Sequence, residues 1–347
     1  MTLSETAQLT KKVMIYAAIA LMIIFALWGG IAYYLATRPV EVYVELPTKG
    51  FGLIPKPVLP KSLMTASSVN YNLDTETGAL PTGLPELIKV YAIQKLGVTF
   101  ASPERAKRIA RGFLFNNGPE IQSPTRYRFT DDNGGEMLYA LDTGNFRFKR
   151  PLVPKTEEFT DQEIIPIESE NQIASNFKKY LGDQGILQAQ LADGRTRAFY
   201  NRAQVQEASE AAVTVWQADI TEGQETTKVS YPIVTPTFKE GLVKGTVTRY
   251  QANQNKYLSI DYIFWPIDTA ESETYPIKTV EEAFEQLKNG EGVTVLPYSK
   301  SNVAIENVYL AYYLPIEYVP YLQPVYVFQG PEFAAYVPAI TSDNFVP

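Results

Sequence analysis

Three groups of residues have types and spacings that could do chemistry. Ser175-Asn-Phe-Lys178 has the Ser-x-x-Lys spacing in which a lysine activates a serine nucleophile, and Ser342-Asp343-Asn344 matches the Ser-Asp-Asn element of acylating serine enzymes. The third element, a later Lys-Thr-Gly strand, has no match: three residues follow Asn344, and Lys244-Gly-Thr246 and Lys278-Thr-Val280 differ from it in composition or order. Asp131, Asp132 and Glu136 bracket a glycine turn, as calcium ligands do. Calcium takes roughly six to eight oxygens, more than one short turn supplies, so a hairpin turn is expected there. Glu281, Glu282 and Glu285 fall in the first turns of an expected helix, where carboxylates favour the helix dipole. A general acid and base pair among them needs one desolvated carboxyl, which the pattern does not supply. The chain has neither histidine nor cysteine, so disulfides, thiolate nucleophiles, a structural zinc site, a haem axial histidine and a Ser/His/Asp triad are excluded. No cofactor, metal or enzymatic activity is expected.

The 347 residues, 45% hydrophobic and 20% charged, have a globular composition and suffice for two or three domains of about 100–150 residues. The net charge of -7 is unevenly spread: Ala270 to Pro347 holds three Lys/Arg against ten Asp/Glu, which is -7 by itself. Nucleic acid is therefore not an expected partner, because phosphate binding needs a basic patch. Arg105, Lys107, Arg108 and Arg111 form a basic stripe that reads as a solvated helix face.

The elements that position these residues begin with Val13 to Ala36, 24 residues without a charge. At about 1.5 Å per residue they make about 36 Å of helix, enough to cross a hydrocarbon core of roughly 30 Å. The run exceeds a signal-peptide core, and Tyr33, Tyr34 and Leu35 spoil a cleavage site, so an uncleaved membrane anchor is expected. Trp28, Tyr33 and Tyr34 suit the headgroup layer. Lys11 and Lys12 precede the helix and a single Arg38 follows it. Positive-inside then makes residues 1–12 a cytoplasmic tail and places the body outside the cytoplasm, in a single-pass protein of the cell membrane. Ala26, Gly29 and Gly30 permit close helix approach and are the candidate membrane-helix contact. A cysteine-free exterior body suits a bacterial envelope.

Residues 37–86 read as a stalk. Val40 to Leu46 alternates like a strand, and prolines at 47, 55, 57 and 60 then favour an extended, semi-rigid chain. Beyond it, Ile109-Ala110-x-x-Phe113-x-x-x-x-Gly118 matches Ile173-Ala174-x-x-Phe177-x-x-x-x-Gly182 at an offset of 64, with apolar residues at helical spacing and a terminal glycine. Ser102 with Pro103 opens the first helix, Ser169 with Gln172 the second, and Thr279 with Glu282 a third that ends before Gly290. Each helix neighbours strand-and-turn text. Arg126–Thr130, Met137–Leu141 and Phe146–Lys149 make one meander, and Leu187–Leu191, Arg195–Tyr200 and Val213–Asp219 a second. Val243–Tyr250, Tyr257–Trp265, Val303–Leu314, Gln323–Phe328 and Phe333–Ile340 belong to a third. An α+β class follows, with tandem units over residues 87–155, 156–229 and 230–341.

One membrane helix, repeated helix-plus-meander units and the phrases Thr279-Val-Glu-Glu-Ala-Phe-Glu-Gln-Leu-Lys-Asn-Gly290, Tyr309-Leu-Ala-Tyr-Tyr313 and Tyr321-Leu-Gln-Pro-Val-Tyr-Val-Phe328 resemble the PepSY-type units of the YycH/YycI family. The likeness is strongest over residues 230–341, and the long Pro-rich stalk departs from it. It implies a bacterial membrane-anchored regulator that acts on a two-component sensor kinase from outside the cell.

Residues 230–347 hold 13 of the 23 tyrosines. Tyrosine gives large contact area at low entropy cost, so Tyr309, Tyr312, Tyr313, Tyr318, Tyr321 and Tyr326, with Glu317 adding acidity, are the candidate partner surface. The same residues also make good half-buried strands. The expected function is non-enzymatic protein–protein contact at the membrane, with the lipid bilayer and an envelope protein as partners. Alternatives are an envelope scaffold or secretion accessory, and a glycan-active or glycan-binding protein. The oligomeric state is left open.

Overall fold

Phe146-Arg-Phe-Lys149 alternates apolar and charged residues, and the two phenylalanines are buried while Arg147 and Lys149 are exposed. That period-two pattern repeats across a computed structural model describing Met14, Tyr16 and residues 20–30, 46–63, 69–151, 168–200, 211–223, 228–248, 257–296 and 302–347. The chain divides into two units, Met1–Leu46 and Pro47–Pro347.

In the first unit, Met14, Tyr16 and residues 20–30 are helical and exposed, with Phe25 at 72% and Trp28 at 74% exposure. Among the described residues no helix is long and apolar enough to cross a membrane. The remaining positions of the expected 13–36 span, the tail 1–12 and the Val40–Leu46 alternation up to residue 45 lie outside the described residues.

The second unit is α+β. Four helices are described: α1 Ser102–Gly112, α2 Glu170–Asp183, the short α3 Ala189–Ala192 and α4 Val280–Lys288. An eight-stranded antiparallel sheet runs in the order Asn117–Ser123, Arg126–Thr130, Glu136–Ala140, Phe146–Lys149, Tyr257–Tyr262, Val243–Val247, Ala211–Val215, Thr196–Tyr200. Phe113 from the end of α1 and Phe177 from α2 join one core with this sheet. Gly245 lets α2 approach: a Cβ there would stand 2.9 Å from the Phe177 ring. The expected borders at 155/156 and 229/230 therefore do not divide the sheets. Strands 243–247 and 257–262 leave the expected C-terminal unit to pair with Ala211–Val215 and Phe146–Lys149, because a two-stranded second meander cannot bury its face alone.

A second sheet has the order Ile233–Val234, Asn307–Tyr313, Tyr321–Gln329, Ala334–Pro338, Val293–Leu296, with Leu87–Ile93 pairing both Tyr321–Leu322 and Ile267–Pro276. On one face α4 packs Phe284 against Phe328, ring centroids 5.8 Å apart. The other face carries a separate core of Val325, Val327, Tyr313 and Tyr336.

Local expectations fare unevenly. Both capping boxes, Ser169 with Gln172 and Thr279 with Glu282, are present. The first helix is capped one residue earlier than expected, at Ala101, with Ser102 inside the helix. Gly118 does not end α1: Phe113 is the C-cap, Leu114 takes the left-handed turn at φ 65°, and Gly118 lies in the next strand. Gly182 lies inside α2, whose left-handed terminal glycine is Gly185. The expected strand Leu187–Leu191 is instead largely α3.

The stalk expectation is corrected over its described residues. Ile54 is fully buried in the core of the second sheet, and its N–H and C=O pair with Asn344 O and Val346 N at 3.0 and 2.9 Å. Phe51 stacks on Tyr321 at 4.7 Å, Tyr275 donates to Gly52 O, Gln323 donates to Pro55 O, and Asn70–Leu73 pairs in parallel with Asn302–Ile305. The prolines hold an extended strap against the body, since an extended chain without its full set of N–H donors can still bury alternate side chains. Replacing Ile54→Ala is expected to lower stability by about 2–5 kcal/mol in denaturant unfolding of the full-length protein. An unchanged midpoint would restore the stalk.

Candidate interaction site

The expected tyrosine surface is sorted by its strands. In Asn307–Tyr313 and Tyr321–Gln329 successive side chains point to opposite faces, and both faces are covered. Tyr312, Tyr313 and Tyr326 are thus core residues at 0%, 3% and 1% exposure, which corrects their assignment to a partner surface. Tyr309 is half-buried, with its hydroxyl donating to Gln329 Oε1 at 3.1 Å. The buried hydroxyls act as struts between elements: Tyr326 donates to Lys278 O at 2.7 Å and Tyr336 to Thr235 O at 3.0 Å.

Tyr312 belongs to a polar cluster inside this core. Its hydroxyl lies 2.5 Å from Glu222 Oε1 and 2.8 Å from Lys89 O, and its single proton serves one of them. Tyr91 donates to the same Glu222 oxygen at 2.9 Å, and the Tyr91 and Tyr231 rings meet Tyr312 edge-on at 5.5 and 5.9 Å. Burial, and then the Glu222 charge, push the Tyr91 and Tyr312 phenols far above the ordinary tyrosine range. The cluster satisfies a half-buried carboxylate and ties Leu87–Ile93 to Asn307–Tyr313.

The remaining candidates converge on a corner of the molecule. Glu317 is exposed, Tyr318 and Tyr321 are half-buried, and Ile316 is 50% exposed. Trp265 fixes this corner: its indole donates to Pro315 O at 3.0 Å and its ring meets Tyr318 at 5.7 Å. Tyr318 donates to Ile93 O, and Lys95 Nζ stands 5.3 Å over the Tyr318 ring. From there the chain runs into Leu96-Gly-Val-Thr-Phe100, whose Leu96, Val98 and Phe100 are 48%, 51% and 104% exposed. Sequence reasoning missed this loop. Its signal was present as three apolar residues at alternate positions in a segment joining a strand to a helix.

The residues weighed for catalysis have structural roles. Lys178 donates to Ala192 O and Gly194 O at 2.7 and 2.5 Å, holding α2 to the following turn, and burial lowers its pKa. Ser342–Asn344 is a turn whose Asn344 is buried beside the Ile54 strap. Asp131 accepts from the N–H groups of Asn133 and Gly135 at 3.0 and 2.6 Å and from Arg150 Nε at 3.1 Å, so its oxygens are spent on the hairpin. Arg150 lies over the Phe115 and Phe148 rings and also donates to Phe113 O. Among the described residues no group of three or more acidic side chains could hold a metal ion. Ala26, Gly29 and Gly30 lie on the exposed helical stretch, and a Cβ built on either glycine would meet nothing within 4 Å beyond the helix's own backbone and chain neighbours among the described residues.

No family model matches the chain, and no curated protein matches it. Among solved structures, an uncharacterised protein from Eubacterium rectale aligns with 10% identity over 78% of this chain and 89% of that one, with a TM-score of 0.34.

The buried phenols set an alkaline limit. Tyr309 is pushed up to about 12 by burial, and Tyr91, Tyr312 and Tyr336 are also raised. A raised folded-state pKa contributes stability in full below the unfolded value near 10, and that stability is lost as pH rises toward the folded value. The denaturant midpoint is expected to hold up to about pH 9.5 and to fall steadily from about pH 10 to 12, read by circular dichroism. A flat profile across that window would show that these hydroxyls are not buried.

Proposed function

We propose that this protein is a single-pass membrane protein, its N-terminus in the cytoplasm and its α+β body outside, that works non-enzymatically by gripping an envelope protein. The partner class implied by the YycH/YycI resemblance is the extracytoplasmic part of a sensor kinase. The anchor reading rests on residues 13–36 and is supported by the exposure of every described residue among them. Exposure of apolar helical residues, as in these described ones, is unfavourable in water and favourable in lipid.

The observation that carries the contact reading is Phe100. A phenylalanine as exposed as in an open chain, flanked at alternate positions by exposed Leu96 and Val98, offers apolar area that a second surface would remove from water. Tyr318 borders the start of this loop through Lys95, and its chain neighbours Ile316 and Glu317 are exposed. The corner replaces the six-tyrosine surface, whose Tyr312, Tyr313 and Tyr326 are committed to the core.

A photo-crosslinker at Val98 of the full-length protein in its native membrane, followed by mass spectrometry, is expected to capture a sensor kinase. Phe100→Asp should cut that capture at least fivefold while leaving membrane localisation intact. Removing residues 13–36 should release the body from the membrane. Unchanged localisation on that deletion would sink the anchor reading. Capture of envelope-assembly components alone would move the weight to the scaffold reading.

A further inference from the structure

Buried tyrosines in this body place their hydroxyls on carbonyls: Tyr262 on Ile186 O at 2.6 Å, Tyr275 on Gly52 O at 2.9 Å, Tyr326 on Lys278 O at 2.7 Å. Tyr139 departs from that habit. It is 2% exposed, and its hydroxyl has no hydrogen-bond partner among the described residues. A buried polar group left unpaired costs free energy and calls for a reason. Tyr139 lines a cavity of about 500 Å³ between α1, the 143–145 turn, the segment 185–190 and Tyr262–Pro266, with its hydroxyl just beneath the wall. A Cβ built on Gly144, in the cavity wall, would stand 3.7 Å from that hydroxyl.

Two cations share this cavity. Arg105 and Arg108, three residues apart on α1, both line it, and Arg108 Nη1 lies 4.0 Å from a Cβ built on Gly185. Neither guanidinium has an ion-pair or hydrogen-bond partner among the described residues, and no described lining residue is acidic. Burial raises the Tyr139 phenol while both arginines pull it back, so their field reaches the hydroxyl. Several other polar groups of the wall are occupied: Gln94 donates to Asp268 Oδ2 at 2.7 Å and Thr143 Oγ1 accepts from Asn145 N at 3.2 Å. Asn145 Oδ1 accepts from Phe264 N at 2.9 Å, and Gln190 bonds both the N–H and the C=O of Ile267. Apolar wall comes from Ile109 and Ile186, both buried, and from half-buried Phe264, and exposed Gln188 adds a polar group.

We propose that this cavity binds a small organic oxyanion, a phosphate monoester or a carboxylate. Its charged oxygens sit between Arg105, Arg108 and the Tyr139 hydroxyl, and its apolar part lies against Ile109, Ile186 and Phe264. Guanidinium forks match both oxyanions in geometry and charge. The phenol supplies a neutral donor at the floor, where a third charge would be costly to bury. This inference stands independently of the partner reading.

Isothermal titration of the full-length protein in detergent micelles, with phenyl phosphate and benzoate as probes and benzyl alcohol as the neutral control, tests it. At least one anion is expected to saturate the protein with a submillimolar Kd at low salt, and benzyl alcohol is expected not to bind. The stronger anion identifies the oxyanion class. Arg105→Gln and Arg108→Gln should each weaken binding at least tenfold. Tyr139→Phe should weaken it several-fold while the unliganded melting temperature stays equal or rises, because the substitution removes an unpaired hydroxyl and nothing else. Absence of saturable binding by both anions, or affinity unmoved by all three substitutions, would overturn the site. Inorganic phosphate binding as tightly as phenyl phosphate would overturn the role given to the apolar wall.

Discussion

Seven consecutive residues, Leu322 to Phe328, are buried, which in a strand requires cover on both faces. One face receives α4 and the core containing Tyr326 and Phe328; the other receives Val234, Tyr313 and Tyr336. Each cover depends on chain distant in sequence. Leu87–Ile93 extends the sheet at Tyr321 and Leu322, the Ile54 strap closes onto Asn344, and Trp265 reaches across to Pro315. The tyrosine hydroxyls stabilise these long-range joints, since a phenol fills core volume and still delivers a donor to a carbonyl the strand ladder leaves open. Tyrosine abundance in the C-terminal third thus reflects a sheet with two interiors.

That constraint also explains what was legible in the sequence. Period-two alternation marks strands with one wet face, and Arg126–Thr130 and Phe146–Lys149 are found where their pattern placed them. Capping boxes are local hydrogen-bond statements, so those at Ser169 and Thr279 needed no tertiary information. Tyr312 and Tyr313 are different. A strand covered on both faces has no alternation to separate surface from core, and their burial depends on Leu87–Ile93 and Ile233–Val234, both distant in sequence. The strap failed for a related reason: proline content marks an extended chain but does not say whether the chain lies in water or on a core, and Ile54 alone decides it. The unit borders failed because pairing of Tyr257–Tyr262 with Phe146–Lys149 spans more than a hundred residues, which no local pattern encodes.

Charge in this body acts according to what surrounds it. Arg150 is paired with Asp131, stacked on two phenylalanines and bonded to main-chain carbonyls, each side chain 9% exposed. Removing one partner there would strand a buried charge, so the pair fixes the hairpin to the sheet whatever its net energy. Arg105 and Arg108 are chemically identical to it and have the opposite situation, exposed guanidiniums on a cavity wall with no ion-pair or hydrogen-bond partner among the described residues.

The basic stripe on α1 was legible as a solvated face, and for Lys107, paired with Glu104 on the same helix, that remains sufficient. For Arg105 and Arg108 it is not. Their position three residues apart turns both exposed side chains toward the cavity they share with the 143–145 turn and Tyr139. A helix face and a binding site have the same sequence pattern. The difference lies in what the rest of the chain brings opposite, here a strand phenol with no partner among the described residues and a glycine turn beside it.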